Sequence, residues 1–228
     1  MTPKSMVLVV DDDVSVRESL TLLIDERGWQ PATFASATEF LAYPRVLGPS
    51  CLVLDVALPD LSGLDLQKLV ADRIEMPVIF LTGQGDVAIT VRAMKAGAME
   101  FLTKPYHPDV LVAAIAEALE SSRAALARAA EMTSLREAHA SLTRREREVM
   151  RLVVSGLLNK QIAGELGISE ITVKAHRGQV MRKMRADSLA GLVRMATRLG
   201  VPPARTEWAH SFAMTGRSGG ELHLQPSL

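Results

Sequence analysis

Five short apolar runs recur in the first half of the chain: MVLVV (6–10), QPATF (30–34), CLVLD (51–55), PVIFL (77–81) and MEFL (99–102). Each has the length and apolar content of a buried strand. Between them, apolar residues fall at helical spacing: Val16, Leu20, Leu23 and Ile24; Phe40 and Leu41; Leu64, Leu66, Leu69 and Val70; Val87, Val91 and Met94. Gly28, Gly48 and Gly97 stand where three of these helices should stop. Strict strand–helix alternation predicts an α/β domain, a doubly wound five-stranded parallel sheet. Such sheets bind ligands beyond the carboxyl ends of the strands, at the point where strand order reverses.

From Pro108 the chain reaches Leu142 without Gly or Pro and is rich in Ala, Leu, Glu and Arg, which is strong helix composition. Leu111, Ile115, Ala118 and Leu119 should pack on the sheet. Beyond Ser122 the stripe turns to smaller residues, Ala125, Ala129, Met132 and Leu135. The pattern fits one long, partly exposed helix or a helix broken near Thr133-Ser134, acting either as a dimer contact or as a solvated spacer.

Residues 143–199 are helical throughout by pattern and predict a second, smaller all-α domain. Thr143 with Glu146 forms a capping signature. In NKQIAGELGISEITVKAHRGQVMRKM, Asn159 and Ser169 read as caps of two helices and Leu166-Gly167-Ile168 as the tight turn between them. Ile162, Ala163, Leu166, Ile168 and Val173 would fill the small core of a helix-turn-helix. The expected division is 1–122, a helical linker over 123–140, 141–200, and a tail over 201–228 whose loss of periodicity predicts disorder. Within that tail Trp208 and Phe212 are the residues that could dock.

Composition then separates the halves. Net charge over the whole chain is zero, yet residues 1–120 hold nine Lys/Arg against seventeen Asp/Glu, and residues 143–200 hold twelve against five. An acidic domain suited to a divalent cation thus precedes a basic one suited to a polyanion. No apolar run is long enough to span a membrane and the start does not read as a signal peptide, so a soluble, cytoplasmic protein is expected. The single cysteine, Cys51, lies in an apolar run and is given no redox role.

The chemistry sits at the strand ends. The first run ends in Asp11-Asp12-Asp13, the third in Asp55, the fourth in Thr82, and the fifth leads to Lys104-Pro105. All should face one crevice. Clustered carboxylates repel unless a cation joins them, so Asp11, Asp12 and Asp55 read as oxygen ligands for a hard ion such as Mg²⁺ or Mn²⁺. An ionised Asp55 can be a nucleophile, and Thr82 and Lys104 can hydrogen-bond and neutralise a phosphoryl group on it. Asp13 reads as a helix cap. In the basic domain, Lys174, Ala175, Gly178 and Arg182 share one face of the second motif helix. Asn159, Lys160, Thr172 and Lys183 are placed to grip phosphates, and His176 either packs or contacts a phosphate.

VVDDD, LDVALPDLSG, FLTGQGD and AMEFLTKP resemble the motifs of receiver domains of two-component response regulators, over residues 5 to about 122. The resemblance implies a flavodoxin-like fold, Asp55 as phosphoacceptor, Asp12 as direct metal ligand, Asp11 as supporting acid, and a metal-binding backbone carbonyl from Ala57. It also implies that Phe101 is an aromatic switch following Thr82, the alternative being a core ring that does not move. Residues 141–200 resemble the LuxR/FixJ-type DNA-binding domain, which implies base contacts from Lys174, Ala175 and Gly178. Glycine at 178 departs from the long polar side chains of several relatives. A fourth helix, SLAGLVRMATRLG, serves in that family as the dimer interface, though Leu189, Leu192, Val193 and Ala196 could equally pack on their own domain.

The partners implied are a sensor histidine kinase, promoter DNA, RNA polymerase and a second copy when phosphorylated, with no membrane and no turnover of an external substrate. Two rivals are weaker. An aspartyl phosphatase would normally carry a carboxylate two residues past its nucleophile, where Ala57 stands, and an inert receiver would not keep Asp12, Asp55, Thr82 and Lys104 together. Ala57 also lacks a polar side chain to position a hydrolytic water, so the phosphoryl group should last minutes or longer unless Gln84 takes that role.

Overall fold

The computed structural model describes residues 4–83, 87–202 and 204. The expectations for Gln84 and for the tail, Trp208 and Phe212 included, lie outside these residues. The chain divides into two compact units, Met1–Glu131 and Met132–Leu228.

In the first unit β1 (Met6–Val10), β2 (Gln30–Phe34), β3 (Ser50–Asp55), β4 (Val78–Thr82) and β5 (Glu100–Thr103) form one sheet of order β2-β1-β3-β4-β5. Every pairing is parallel. The helices between are α1 (Val14–Glu26), α2 (Ala37–Ala42), α3 (Gly63–Leu69) and α4 (Val87–Lys95), followed by α5 (Pro108–Ala140). Side chains alternate across each strand, so one run feeds two cores. Leu8, Val10, Leu52, Leu54 and Phe80 meet α2, α3 and α4, while Val7, Val9, Cys51, Val53, Ile79 and Leu81 meet α1 and α5. Burial pushes the Cys51 thiol up to about 12, leaving it a small hydrophobe with no thiolate at neutral pH.

Helix ends follow local chemistry. Asp13 caps α1 by accepting from the Ser15 N–H at 2.8 Å. Gly28 (φ 76°) and Gly97 (φ 88°) take the left-handed conformation just past α1 and α4. Gly48 differs from expectation: α2 has already ended at Ala42, and Gly48 lies in the loop before β3. The N-terminus of α2 is held from a distance, because the Asp60 carboxylate accepts from Ala37 N–H (3.2 Å), Thr38 N–H (2.8 Å) and Thr38 Oγ1 (2.6 Å). Those bonds, the hydroxyl's foremost, hold the Asp60 carboxyl at about 2, below its ordinary 3.8. A depressed folded-state value means that this contribution is complete above pH 3.8 and disappears as pH falls through about 2. The gap in urea midpoint between the natural chain and Asp60→Ala should therefore be constant above pH 4 and close below it; a gap that persists unchanged to pH 2 would contradict the assignment.

α5 is continuous across Thr133 and Ser134. Leu111, Ile115, Ala118 and Leu119 are fully buried in the first unit, and so is Ser122. The Ser122 hydroxyl accepts from Ser50 N–H (3.0 Å) and donates to the Glu75 carbonyl, while Arg123 reaches Ser5 Oγ at 2.9 Å. Further along, Met132, Leu135 and Ala138 belong to the core of the second unit, which thus begins ahead of residue 141.

That second unit adds α6 (Arg144–Val154), α7 (Asn159–Leu166), α8 (Glu170–Met184) and α9 (Leu189–Leu199). Thr143 and Glu146 form the reciprocal cap of α6. Gly167 (φ 62°) makes the turn between α7 and α8, and Ser169 caps α8 through Thr172 N–H at 3.1 Å. Val149, Met150, Ile162, Val173, Val180, Met184, Leu192 and Ala196 form the core. Leu189 and Val193 of α9 stay exposed. No described helix is long and apolar enough to cross a membrane.

Candidate functional sites: an acidic crevice and a basic helix-turn-helix

Strand order reverses between β1 and β3, and the crevice beyond their carboxyl ends is where this topology leaves space for chemistry. Asp11 follows β1, Asp55 and Thr82 close β3 and β4, and Lys104 follows β5. Asp11, Asp55 and Thr82 are buried, and Asp12 is exposed. The Lys104 ammonium donates to Asp11 Oδ2 (2.6 Å) and to Asp55 Oδ2 (2.7 Å), bridging the two carboxylates. Its own backbone N–H donates to the Thr82 carbonyl at 2.7 Å, which fixes the β5 end against β4.

Burial raises the Asp11 carboxyl above its usual range, and the hydrogen bond from Lys104 only partly opposes that. For Lys104 burial acts downward, but the bonds to Asp11 and Asp55 outweigh it and hold the ammonium charged. The other oxygens are also engaged: Asp11 Oδ1 accepts from Asp13 N–H and Asp55 Oδ1 from Ala57 N–H, both at 3.0 Å.

Oxygens of Asp11, Asp12 and Asp55 all lie within 4.8 Å of one another. Three hard oxygen donors this close, two of them already bridged by a cation, are a donor set that fits Mg²⁺ or Mn²⁺. Ala57 is exposed at the rim. The Phe101 ring is partly buried, its centroid 6.0 Å from that of Phe80 in the core.

On the helix-turn-helix, Lys160, Lys174, Ala175, Gly178 and Arg182 are exposed, and Thr172 and His176 are half-buried. Lys183 faces inward, where its ammonium pairs with the buried Glu146 carboxylate at 2.7 Å and reaches the Ser141 carbonyl at 3.3 Å. Asn159 is the first residue of α7 and does not cap it: its Oδ1 accepts from Arg177 of α8, while Gln161 satisfies the Leu158 N–H. At the far end of α7, Arg145 donates to the Leu166 carbonyl at 2.6 Å.

Residues 7–116 match the family described as response regulator receiver domain, and residues 140–196 the family described as bacterial regulatory proteins, luxR family. Nodulation protein W of Bradyrhizobium diazoefficiens is 48% identical over 205 residues, covering 90% of each chain. The transcriptional regulatory protein FixJ of the same organism is 41% identical over 202 residues, covering 88% of this chain and 98% of that one. The chain belongs to the response regulators. Among solved structures, response regulator StyR is 44% identical with a TM-score of 0.78, covering 86% of this chain and all of that one.

Two features of this response regulator were not visible in its sequence. One is Gly63, buried at the start of α3 and pressed against the β3 end. The other is the side-chain pairing at the helix-turn-helix, which involves Arg145 and Arg177. The LSG triplet of the motif was the only signal for the first; nothing local marks the second. At Gly178 an added Cβ would meet nothing within 4 Å, so packing does not demand glycine there. Gly178→Ala should stabilise α8 by about 0.5–1 kcal/mol, read as a higher melting temperature; a lower one would count against open space at that position.

Proposed function

We propose that this response regulator accepts a phosphoryl group on Asp55 from a sensor histidine kinase, and that the modified protein dimerises and binds promoter DNA to control transcription with RNA polymerase. The observation that carries the reading is the buried Asp11–Lys104–Asp55 bridge at converging strand ends beside Thr82. An ionised Asp55 oxygen attacks the phosphorus of a phosphohistidine; the P–O bond forms as the P–N bond breaks, and the imidazole leaves with the electron pair. Lys104 turns from the two carboxylates to the phosphoryl oxygens, and the Thr82 hydroxyl donates to another. Asp11, Asp12, Asp55 and the Ala57 carbonyl would hold Mg²⁺ or Mn²⁺, which when bound supplies charge neutralisation among these oxygens. Phe101 follows Thr82 inward, because the space behind the hydroxyl is freed.

The face that this shift reaches includes α4, where Val87, Val91 and Met94 lie exposed. A second copy of the receiver is the occupant we assign to it, with α9 a further contact through Leu189 and Val193. In the basic unit Lys174, Ala175, Gly178 and Arg182 face the major groove, and Asn159, Lys160 and Thr172 the phosphates; Lys183 keeps its structural partner Glu146. The protein acts in the cytoplasm and turns over no external substrate.

The test compares dimerisation and promoter binding with and without beryllofluoride. Tighter self-association and tighter binding on treatment support the reading, and an affinity indifferent to it would leave a constitutive DNA binder. With Ala57 at the crevice rim, labelled phosphoprotein should persist for minutes or longer, and decay within seconds would reject that expectation.

A further inference from the structure

Asn159 and Arg177 lie on different helices, and the bond between them fixes more than their separation. Arg177 Nη1 donates to Asn159 Oδ1 at 2.5 Å, and both side chains are half-buried. A guanidinium has donors only, so the amide atom that faces it must be the oxygen. The amide is thereby oriented, and its two Nδ2 hydrogens are directed away from Arg177. They donate to no described residue.

The groups that open α7 beside them are donors too. Asn159 and Lys160 open α7, so their backbone N–H groups have no partner within the helix. Gln161 is occupied with the Leu158 N–H at 2.8 Å. The Lys160 side chain is exposed on the same turn. A set of one amide N–H₂, first-turn N–H groups and an ammonium selects an anion, and on a basic unit that anion is a DNA phosphate.

We propose that Arg177 is a positioning residue for DNA binding, holding the Asn159 amide so that its N–H₂ meets a backbone phosphate, with no contact of its own to DNA. This rests on the reading that the second unit binds DNA. The orientation is set before binding, so it need not be purchased from the freedom of a loose side chain. With Arg145 held on the Leu166 carbonyl at the other end, α7 is tied to its neighbours at both termini.

Because phosphate contacts are sequence-independent, a generic B-form duplex is sufficient as probe. The full chain, treated with beryllofluoride, is titrated with that duplex at several salt concentrations as the natural protein, Asn159→Ala, Arg177→Met and the double variant. Each single substitution should weaken binding roughly tenfold and leave the salt slope unchanged, since neither takes a cation off a phosphate, and the double variant should be no weaker than either. Losses that multiply would show that Arg177 touches DNA itself, overturning the proposal. An unaffected Asn159→Ala would overturn it too, while the salt-dependent affinity of the natural protein left the DNA-binding reading standing. No salt-dependent affinity in the natural protein would sink both. Asn159→Asp guards against a misfolded Arg177→Met: it keeps the acceptor for Arg177 and removes the donors, so it should bind at least as weakly as Asn159→Ala with its melting temperature retained. Natural affinity in Asn159→Asp would again overturn the proposal.

Discussion

Asp55→Asn should incorporate no phosphoryl group from acetyl phosphate and show no response to beryllofluoride, with its fold intact. The amide is nearly isosteric, its oxygen can still accept the Ala57 N–H now bonded to Asp55 Oδ1, and Lys104 keeps Asp11 at 2.6 Å. What disappears is the nucleophilic carboxylate oxygen. One negative charge also leaves the crevice, and that charge is among the causes that raise the Asp11 carboxyl. Without metal, the variant should therefore melt no lower than the natural protein. Phosphate-affinity electrophoresis after acetyl phosphate treatment reads the first effect and thermal melting the second. Labelling of the variant at natural stoichiometry would move the acceptor away from Asp55.

Gly63→Ala should be among the most damaging single-methyl changes in the receiver. Gly63 N–H donates to the Val56 carbonyl at 2.9 Å, drawing the start of α3 onto the end of β3. A Cβ there would overlap the Asp55 carbonyl oxygen and lie 3.0 Å from Val56 Cα. Those are backbone atoms of the phosphoacceptor strand and cannot swing aside as a flexible side chain could. Either α3 lifts or β3 bends, and both move Asp55 relative to Asp11 and Lys104. Overpacking of this kind costs about 1–3 kcal/mol and occasionally more, and with backbone on both sides the upper end is expected. Urea unfolding gives the loss of stability, and the rate of labelling by acetyl phosphate gives the displacement. An unchanged midpoint with an unchanged rate would mean that the contact is not close in solution.

Much of this was legible because a doubly wound sheet writes its plan in one dimension. Strands buried on both faces appear as apolar runs, and the residues just past each run sit at one edge, so the sequence alone gathers Asp11, Asp55, Thr82 and Lys104. Periodicity is less informative about what covers a face. Val87, Val91 and Met94 share a side of α4 as their spacing requires, yet that side faces solvent, with Val87 77% exposed, and Ala93 is the buried residue. Pairings between helices were invisible for a different reason. Whether Lys183 meets a phosphate or Glu146, and whether Asn159 caps its helix or receives Arg177, depends on which side chains tertiary packing brings within hydrogen-bond distance, and no spacing rule encodes that. Gly63 belongs with these, since its need for a bare Cα comes from β3, not from its own turn.

Ser122 has a practical consequence for anyone dividing the gene. Its hydroxyl serves a strand N–H and a loop carbonyl at once, so a receiver fragment that stops before it would deprive both groups of their partner. The same helix hands Met132 and Leu135 to the other core, so a fragment of the basic unit that starts at residue 141 would lack part of its own floor. A cut that spares both sets of contacts falls in the short stretch after Arg123 and before Met132, well inside a single helix.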